Sequence, residues 1–571
     1  MQLGLRLKCD LDDNISDLLN RIAKELHHSF TNLISNVSEQ YKNNLDWWVE
    51  KPVSRNTLVS PLFYRFCCLH LINELIQTGV TIDKVIVDSA ALFRAIDETK
   101  KKEGLDFELE GPDGALPKFH YYLWKSLKPF IEVWKRKRTQ FRAAKKTKHL
   151  SSKPPKIGLT LIDQFVFPGF ITKERYYNGL WETLSAEQKE KTLFVPTLVM
   201  MNEKDFEAAY RELRTCDRNF LIKEDYLTFS DLLFGLLHLI RVWFIKPKPK
   251  QVLGVDFSPF IREELLSEGV YDSALEGLLN YRFAQRLKEK SFDLSLIIDW
   301  WEGQPLDKGW NLGFNTFFME TSKKGYLGYA PRLMELQLYP SDSEIENNVA
   351  PSRIVTIGKA IKDEMKQINP RAKFDYAPSF RFNHLWDDPV ITDSDNSSFT
   401  ILVALTIIFE ESIGIINKVA QSKTKLNIEN VSFVIQPHPV IRIESIKNSP
   451  EVNWLEEFVV EKSSTNGDIR ESDLLITGMS TIGLESIVLG IPTIIVKNNR
   501  GLFYDPIPDS VPKQLWRSCR SPEEISEAIN YFKNRGPEKI RQHQELSAQI
   551  KKEYFEPVTK EGVYRFLELE V

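Results

Sequence analysis

Residues Asp473 to Val496, DLLITGMSTIGLESIVLGIPTIIV, constrain the fold of this chain more tightly than any other stretch. A short apolar run (474–477), a flexible polar turn (478–483), a helix start (485–489) and a second apolar run follow in quick succession, as in an open α/β sheet. The first amides of such a helix lack backbone partners and favour an anion in the turn. Gly478 keeps the turn flexible, and Ser480 and Thr481 add hydroxyl donors. Glu485, one helical turn in, is placed to accept hydrogen bonds from a ribose. An ordinary strand-to-helix turn that uses Gly and Ser without a ligand is the other reading.

A second segment points the same way. Residues 432–435 are β-rich and end in Gln436-Pro437-His438-Pro439, so His438 sits at a strand C-terminus on a backbone stiffened by two prolines. Ligands of open α/β sheets bind at strand C-termini. A lone histidine more often serves structure, yet this one is poorly placed for a core. It can donate to a phosphate oxygen or to a leaving phosphate.

As a pair, QPHPV and STIGLESIVLGIP resemble the C-terminal nucleotide-binding half of GT-B glycosyltransferases. The nearest likeness is to bacterial sialyl-, polysialyl- and capsular Kdo-transferases that use CMP-activated acidic sugars. Those enzymes carry a His-Pro motif and a downstream Ser/Thr-rich motif, both of which touch CMP. The resemblance implies that His438, Ser480 and Thr481 hold the nucleotide phosphate and Glu485 the ribose, within a donor site that also includes Gln436, Pro439 and Gly478. A looser similarity, to proteins of bacterial surface-carbohydrate biosynthesis, runs through residues 54–63, 84–92, 297–311, 325–331 and 377–385. The implied fold is GT-B: α/β, two Rossmann-like domains with parallel sheets facing an interdomain cleft.

The patterning agrees with that expectation. Residues 82–87, 156–161, 192–199, 251–255, 294–298, 326–329 and 354–357 read as short buried strands with helix-length stretches between several of them, which predicts a parallel sheet. The acidic, turn-rich residues 387–398 read as a linker. A second alternating series follows: 399–408, a helix near 410–421, the 432–435 strand, 458–460, the opening motif, and helices from Pro522 onward. The expected domains are an acceptor domain over 1–390 and a nucleotide-sugar domain over 391–571, the last helix packing back on the first domain. A chain of 571 residues exceeds one core, which fits two domains.

For catalysis the strand 294–298 leads directly into Asp299-Trp300-Trp301-Glu302-Gly303-Gln304. Inverting glycosyl transfer needs a base for the acceptor hydroxyl, and a carboxylate beside indoles has its pKa raised toward that task. Glu302 is the first candidate and Asp299 the second; an exposed turn whose tryptophans pack the core is the rival reading. In a retaining enzyme Glu302 would instead position the acceptor or stabilise an oxocarbenium-like centre. A donor carboxylate can be held by an arginine in a bidentate pair, and Arg381 ranks first for its place near the linker. Arg55, Asp88 and Lys359 are further candidates, although a salt bridge is the commoner fate of such residues.

Net charge of −4 makes no global case for nucleic acid, and five cysteines without metal-type spacing support neither a disulfide framework nor a zinc site. No metal and no cofactor are expected; the nucleotide sugar is a substrate. The first residues lack an apolar signal core and no uncharged run reaches the ~18 residues of a membrane span, which places the chain in the cytoplasm, peripheral on the inner face of the membrane. Peripheral contact is suggested by residues 125–153, with eleven Lys or Arg against Glu132 alone, interleaved with Phe130, Trp134 and Phe141. Residues 226–250, apolar and then lysine-rich, agree; a solvated helix and a core helix are the plainer readings of the two.

The combined expectation is a glycosyltransferase that moves a CMP-activated ulosonic acid, such as Kdo or a sialic-acid-like sugar, to a lipid-linked or oligosaccharide acceptor in lipopolysaccharide O-antigen or capsule synthesis. A CDP-glycerol-type polyol-phosphate transferase and a catalytically inactive GT-B membrane scaffold are the alternatives. A hydrolysing nucleotide-sugar epimerase fits less well.

Overall fold

Three short strands, β1 (Gln2–Leu5), β2 (Lys84–Val87) and β3 (Glu108–Glu110), pair in parallel as a separate small sheet in the computed structural model of the protein. The structure describes residues 1–7, 9–113, 119–150, 155–169, 175–267, 271–387, 399–425, 430–460 and 469–570. The expected linker, past Asp387, lies outside them.

Burial at every position of β4 (Leu159–Val166) and β5 (Thr192–Leu198) means that helices cover both faces, which is the condition for a parallel sheet. Leu159, Leu161, Leu193 and Val195 pack on helices Tyr271–Glu289 and Pro305–Phe317 through Leu279, Phe283, Trp310 and Phe314. Val166 and Leu198 pack with Phe206 and Tyr210 and with Ala144 of helix Phe119–Thr147. Residues 251–255, read above as a strand of this sheet, instead form an antiparallel hairpin of β6 (Gln251–Val252) and β7 (Val255–Asp256). Gly254 holds its turn at φ +79°. The sheet continues with β8 (Leu294–Trp300), β9 (Ser322–Leu327), β10 (Ile354–Thr356) and β11 (Phe374–Tyr376) in the order β11-β10-β9-β8-β4-β5, all parallel.

A second six-stranded parallel sheet holds β12 (Phe399–Ala404), β13 (Val431–Gln436), β14 (Val459–Val460), β15 (Leu474–Thr477), β16 (Thr493–Val496) and β17 (Trp516–Cys519), ordered β14-β13-β12-β15-β16-β17. Alternate residues point to opposite faces. Ile401, Val403, Leu474 and Ile476 meet helix Phe409–Lys425 on one face, while Leu402, Ala404 and Leu475 meet Ile469 and Ile491 on the other. The fold class is therefore α/β with two Rossmann-like parallel sheets, as expected.

The chain divides into two compact units, one of Met1–Arg381 with Glu556–Val571 and one of Phe382–Phe555. In the first, the final helix Lys560–Leu567 brings Phe566 within 5.2 Å of the Tyr326 ring and 5.3 Å of the Phe380 ring. Glu556 donates its amide to Ile357 O and accepts from Ser379.

Each sheet reverses its strand order once. In the first unit β4 leads outward to β5 and β8 leads the other way; in the second, β12 leads to β13 and β15 leads the other way. Between β4 and β8, and between β12 and β15, the connections diverge and leave a crevice at the carboxyl ends.

Candidate functional site

The crevice of the second unit collects most of the motif residues. Ala404, at the end of β12, pairs with Gln436 on one side and Thr477 on the other, so the turns after β12, β13 and β15 leave the sheet together. His438 is partly buried in the turn after β13. Its Nδ1 accepts from Val440 N at 3.3 Å, which leaves the proton of the neutral ring on Nε2. Pro439 is exposed beside it, and the carbonyl of Gln436 accepts from Leu405 N at 2.9 Å.

The 478–483 turn differs in detail from the sequence reading. The helix begins at Ile482, not Glu485, and most of the amides read as free are engaged. Met479 N donates to Glu411 Oε1 at 3.0 Å, Ser480 N to Gly478 O at 2.8 Å, and Gly483, Leu484 and Glu485 donate back to Ser480 and Thr481 carbonyls. Among the described residues, the amides of Thr481 and Ile482 have no backbone partner. Ser480, Thr481 and Glu485 are partly buried. Glu485 lies 3.6 Å from His384 Nε2, so a ribose at this carboxylate would share it with an imidazole.

Glu411 was missed by the sequence reading. It is 4% exposed, accepts from Thr406 Oγ1 at 2.6 Å as well as from Met479 N, and lies so close to Gly478 that a Cβ there would overlap its carboxylate. Glycine at 478 is thus required by packing against Glu411, and the turn is braced, not loose. The only signal was Glu410-Glu411 ahead of the apolar stretch 413–416 in helix Phe409–Lys425.

The switch point of the first unit gathers three carboxyls in its interior. Ile162 pairs with Ile298, so Asp163 and Asp299 follow on adjacent strands at the switch point. Asp307 joins them from the first turn of helix Pro305–Phe317, where its Oδ2 accepts from Glu302 N and Gln304 N at 2.9 Å each. Asn311 donates to Asp299 Oδ2 at 2.6 Å. The helix lies this deep because Gly309 crosses Gly277 of helix Tyr271–Glu289 so closely that a Cβ would overlap the Gly277 carbonyl. Burial raises the pKa of Asp299 and Asp307 well above the carboxylate range and pushes Asp163 up to about 7, against the pull of Lys223. An ionised carboxylate here would lose several kcal/mol of hydration, against ~1.5–3 kcal/mol from a charged hydrogen bond, so the neutral acid is favoured. Asp163 and Asp307 also escaped the sequence reading, Asp163 as a single acid inside the apolar run of β4 and Asp307 as one charge beside Lys308 at a helix start.

Glu302 stands apart from that interior group. It is partly buried and accepts from Trp300 Nε1 at 2.8 Å; burial raises its pKa, opposed by the indole N–H and by the nearby Arg381 charge. Trp300 and Trp301 pack the core, as the rival reading had it, while the turn itself is not exposed: Gly303 is buried and Glu302 and Gln304 are partly buried. Asp299, the second candidate for the base, is wholly buried, with its Oδ2 bound to Asn311.

Of the candidates for a donor carboxylate, the structure brings Arg381 to Glu302 and separates the others. Arg55 is buried and spent on Glu344, Leu336 O (2.9 Å) and Tyr339 O (3.0 Å), so it is corrected to a structural ion pair. Asp88 ends β2 on the small sheet and accepts from Leu7 N at 2.8 Å, and Lys359 is exposed at the head of helix Lys359–Ile368, beyond β10.

The basic stretch 125–153 is corrected in part. Phe130, Phe141 and Ala144 face the interior of the first unit and buried Lys137 pairs with Glu276 at 2.5 Å, whereas Leu127 is exposed and Trp134 partly buried. Residues 151–153 lie outside those described. Among the described residues no helix is long and apolar enough to cross a membrane.

No protein-family model and no curated protein sequence matches the chain. Solved structures that it resembles include trehalose 6-phosphate synthase from Burkholderia multivorans (12% identity, 72% of this chain and 97% of that one, TM-score 0.41). S. aureus MnaA with UDP is similar at 10% identity, 72% and 98% coverage and TM-score 0.42. A glycosyltransferase of kitacinnamycin is similar at 9% identity, 72% and 98% coverage and TM-score 0.41. Likeness at this level decides no activity.

Proposed function

We propose that the protein is a nucleotide-sugar-dependent glycosyltransferase of GT-B type. In this reading the second unit holds the nucleotide through Gln436, His438, Pro439, Gly478, Ser480, Thr481 and Glu485, and Glu302 of the first unit takes the acceptor proton. The observation that carries it is that the His438 turn and the 478–481 turn leave the same edge of the sheet on either side of β12, and these are the two segments that the sequence resemblance assigns to a nucleotide. His438, with its proton on Nε2, is suited to donate to a phosphate oxygen as the glycosidic bond to the donor breaks.

The finer reading follows the same motifs: the donor is a CMP-linked ulosonic acid and the acceptor an oligosaccharide or lipid-linked glycan of surface-polysaccharide assembly, lipopolysaccharide O-antigen or capsule. Arg381, beside Glu302, supplies the charge complementary to the donor carboxylate. Transfer would proceed by proton removal from the acceptor hydroxyl as the anomeric carbon passes to it and CMP leaves; the residues named need no metal for that step.

Calorimetric titration with CMP, CDP, UDP and GDP tests the reading. Tight binding of CMP alone, weakened about tenfold or more in His438→Ala, is the expected outcome, on the order of the ~1.5–3 kcal/mol of a hydrogen bond to a charged group. Preference for CDP would turn the donor toward a polyol phosphate, and UDP or GDP toward a neutral sugar. Equal affinity in parent and variant would remove His438 from the site, and no binding of any nucleotide would leave the inactive scaffold.

A further inference from the structure

We propose that the first unit docks on the surface of an anionic lipid bilayer through helices Phe229–Leu236 and His238–Trp243 and the opening turns of helix Phe119–Thr147. Phe229 (65% exposed), Leu233, Leu237, Ile240 and Phe244 (68%) form an outward apolar stripe at helical spacing along the two short helices. Tyr121, Trp124 (75% exposed) and Leu127 form a second strip. The two abut: Tyr122, between Tyr121 and Trp124, turns inward, donates to Leu239 O at 3.3 Å and lies 5.3 Å ring to ring from Trp243.

The stripe is what remains after the unit's own core is satisfied. Leu232, Leu239 and Val242 fill the inner face, and His238 is clamped between Asp46 (2.6 Å) and Glu50 (2.8 Å), while Arg241 holds Asp46 at 2.7 Å. The outward side chains are therefore presented on a fixed base.

Charge selects the occupant. Residues 232–255 contain no Asp or Glu and carry Lys246, Lys248 and Lys250 besides Arg241, which Asp46 neutralises, and residues 119–131 contain none but carry Lys125 and Lys128, in a chain of net charge −4. A protein partner would call for charges of both signs at the rim. A one-signed lysine border around Trp, Phe, Leu and Ile matches the anionic headgroup layer over its acyl boundary. Helices of eight and six residues lie along such a surface; they are far too short to cross it. The proposal is independent of the transfer reading, since no residue of either crevice takes part.

The test is sedimentation of the full chain with phosphatidylcholine vesicles, with and without phosphatidylglycerol, at low and high salt. Binding to the anionic vesicles alone, lost at high salt, is expected. The pair Ile240→Ser and Phe244→Ser should lower partitioning at least about tenfold, and Lys246→Gln with Lys248→Gln about fivefold per charge. All four side chains point outward, so unchanged circular dichroism and melting will show that the fold is intact. Absence from both vesicle pellets, or binding indifferent to both pairs, overturns the proposal. So does a dimer by light scattering that the Ile240 and Phe244 pair dissociates while vesicles are ignored, which would make the face a contact between copies.

Discussion

Glu302 draws its character from two neighbours at the end of β8: burial raises its proton affinity, and the Trp300 N–H, with the Arg381 charge, limits the rise. If it is the base, Glu302→Gln should lower kcat by about 100- to 10,000-fold with KM and nucleotide affinity little changed. The pH profile follows in sign. The working form is the carboxylate, so activity falls as pH drops through the raised pKa, and the acid limb should lie above that of an ordinary glutamate. Activity of Glu302→Gln equal to that of the parent excludes this role. Residues singled out by their neighbours along the chain drew notice beforehand: His438 lies between prolines, and Thr481 follows Ser480 in a turn bounded by Gly478 and Gly483. Glu411 and Asp163 did not, because Met479 and Asp299 reach them from other strands and turns; Asp307, bound by the nearby Glu302 and Gln304 amides, stood in a quoted segment whose capping pattern was passed over.

Among the elements, helix Pro305–Phe317 sets the depth of Asp307 and Asn311 through its crossing with helix Tyr271–Glu289 at Gly309 and Gly277. Gly309→Ala forces the two backbones apart and should destabilise the first unit by about 1–3 kcal/mol, the usual cost of overpacking. Gly414→Ala, in helix Phe409–Lys425 with open space around its added methyl, should be neutral or stabilise by up to about 1 kcal/mol. Paired melting curves of the two variants check both, and similar curves would mean that the crossing is slack. Uninterrupted apolar runs were readable as strands because burial on both faces leaves no room for polar residues. The 251–255 run was misread since its pairing partner is only a turn away, and a strand's partner is not written in its hydrophobicity. In helix Phe119–Thr147 the basic residues hide a partly buried stripe at helical spacing, Phe130, Phe141 and Ala144, which the charge run gave no sign of.

At the scale of the whole molecule, two units with the same switch-point plan divide the proposed labour, nucleotide in one and proton in the other. The first unit is discontinuous in sequence, closed by residues 556–571. Their removal strips Phe566 from Tyr326 and Phe380 and leaves the Ile357 carbonyl without the Glu556 amide. Such a truncation should lower the melting of the first unit and abolish transfer while the second unit still binds nucleotide; loss of nucleotide binding as well would mean that the units do not stand alone. The α/β class was legible from alternation, but this return of the chain rests on contacts such as Phe566 with Tyr326 and Phe380, 240 and 186 residues apart, for which no local pattern exists. It also gives the protein a timetable. At ~5–20 residues per second, a ribosome takes about 10–40 s to go from Arg381 to the last residue. Through that interval the first unit waits with Tyr326 and Phe380 uncovered, while the second, contiguous in sequence, can close first, so this is a chain whose later half is equipped to finish before its earlier one.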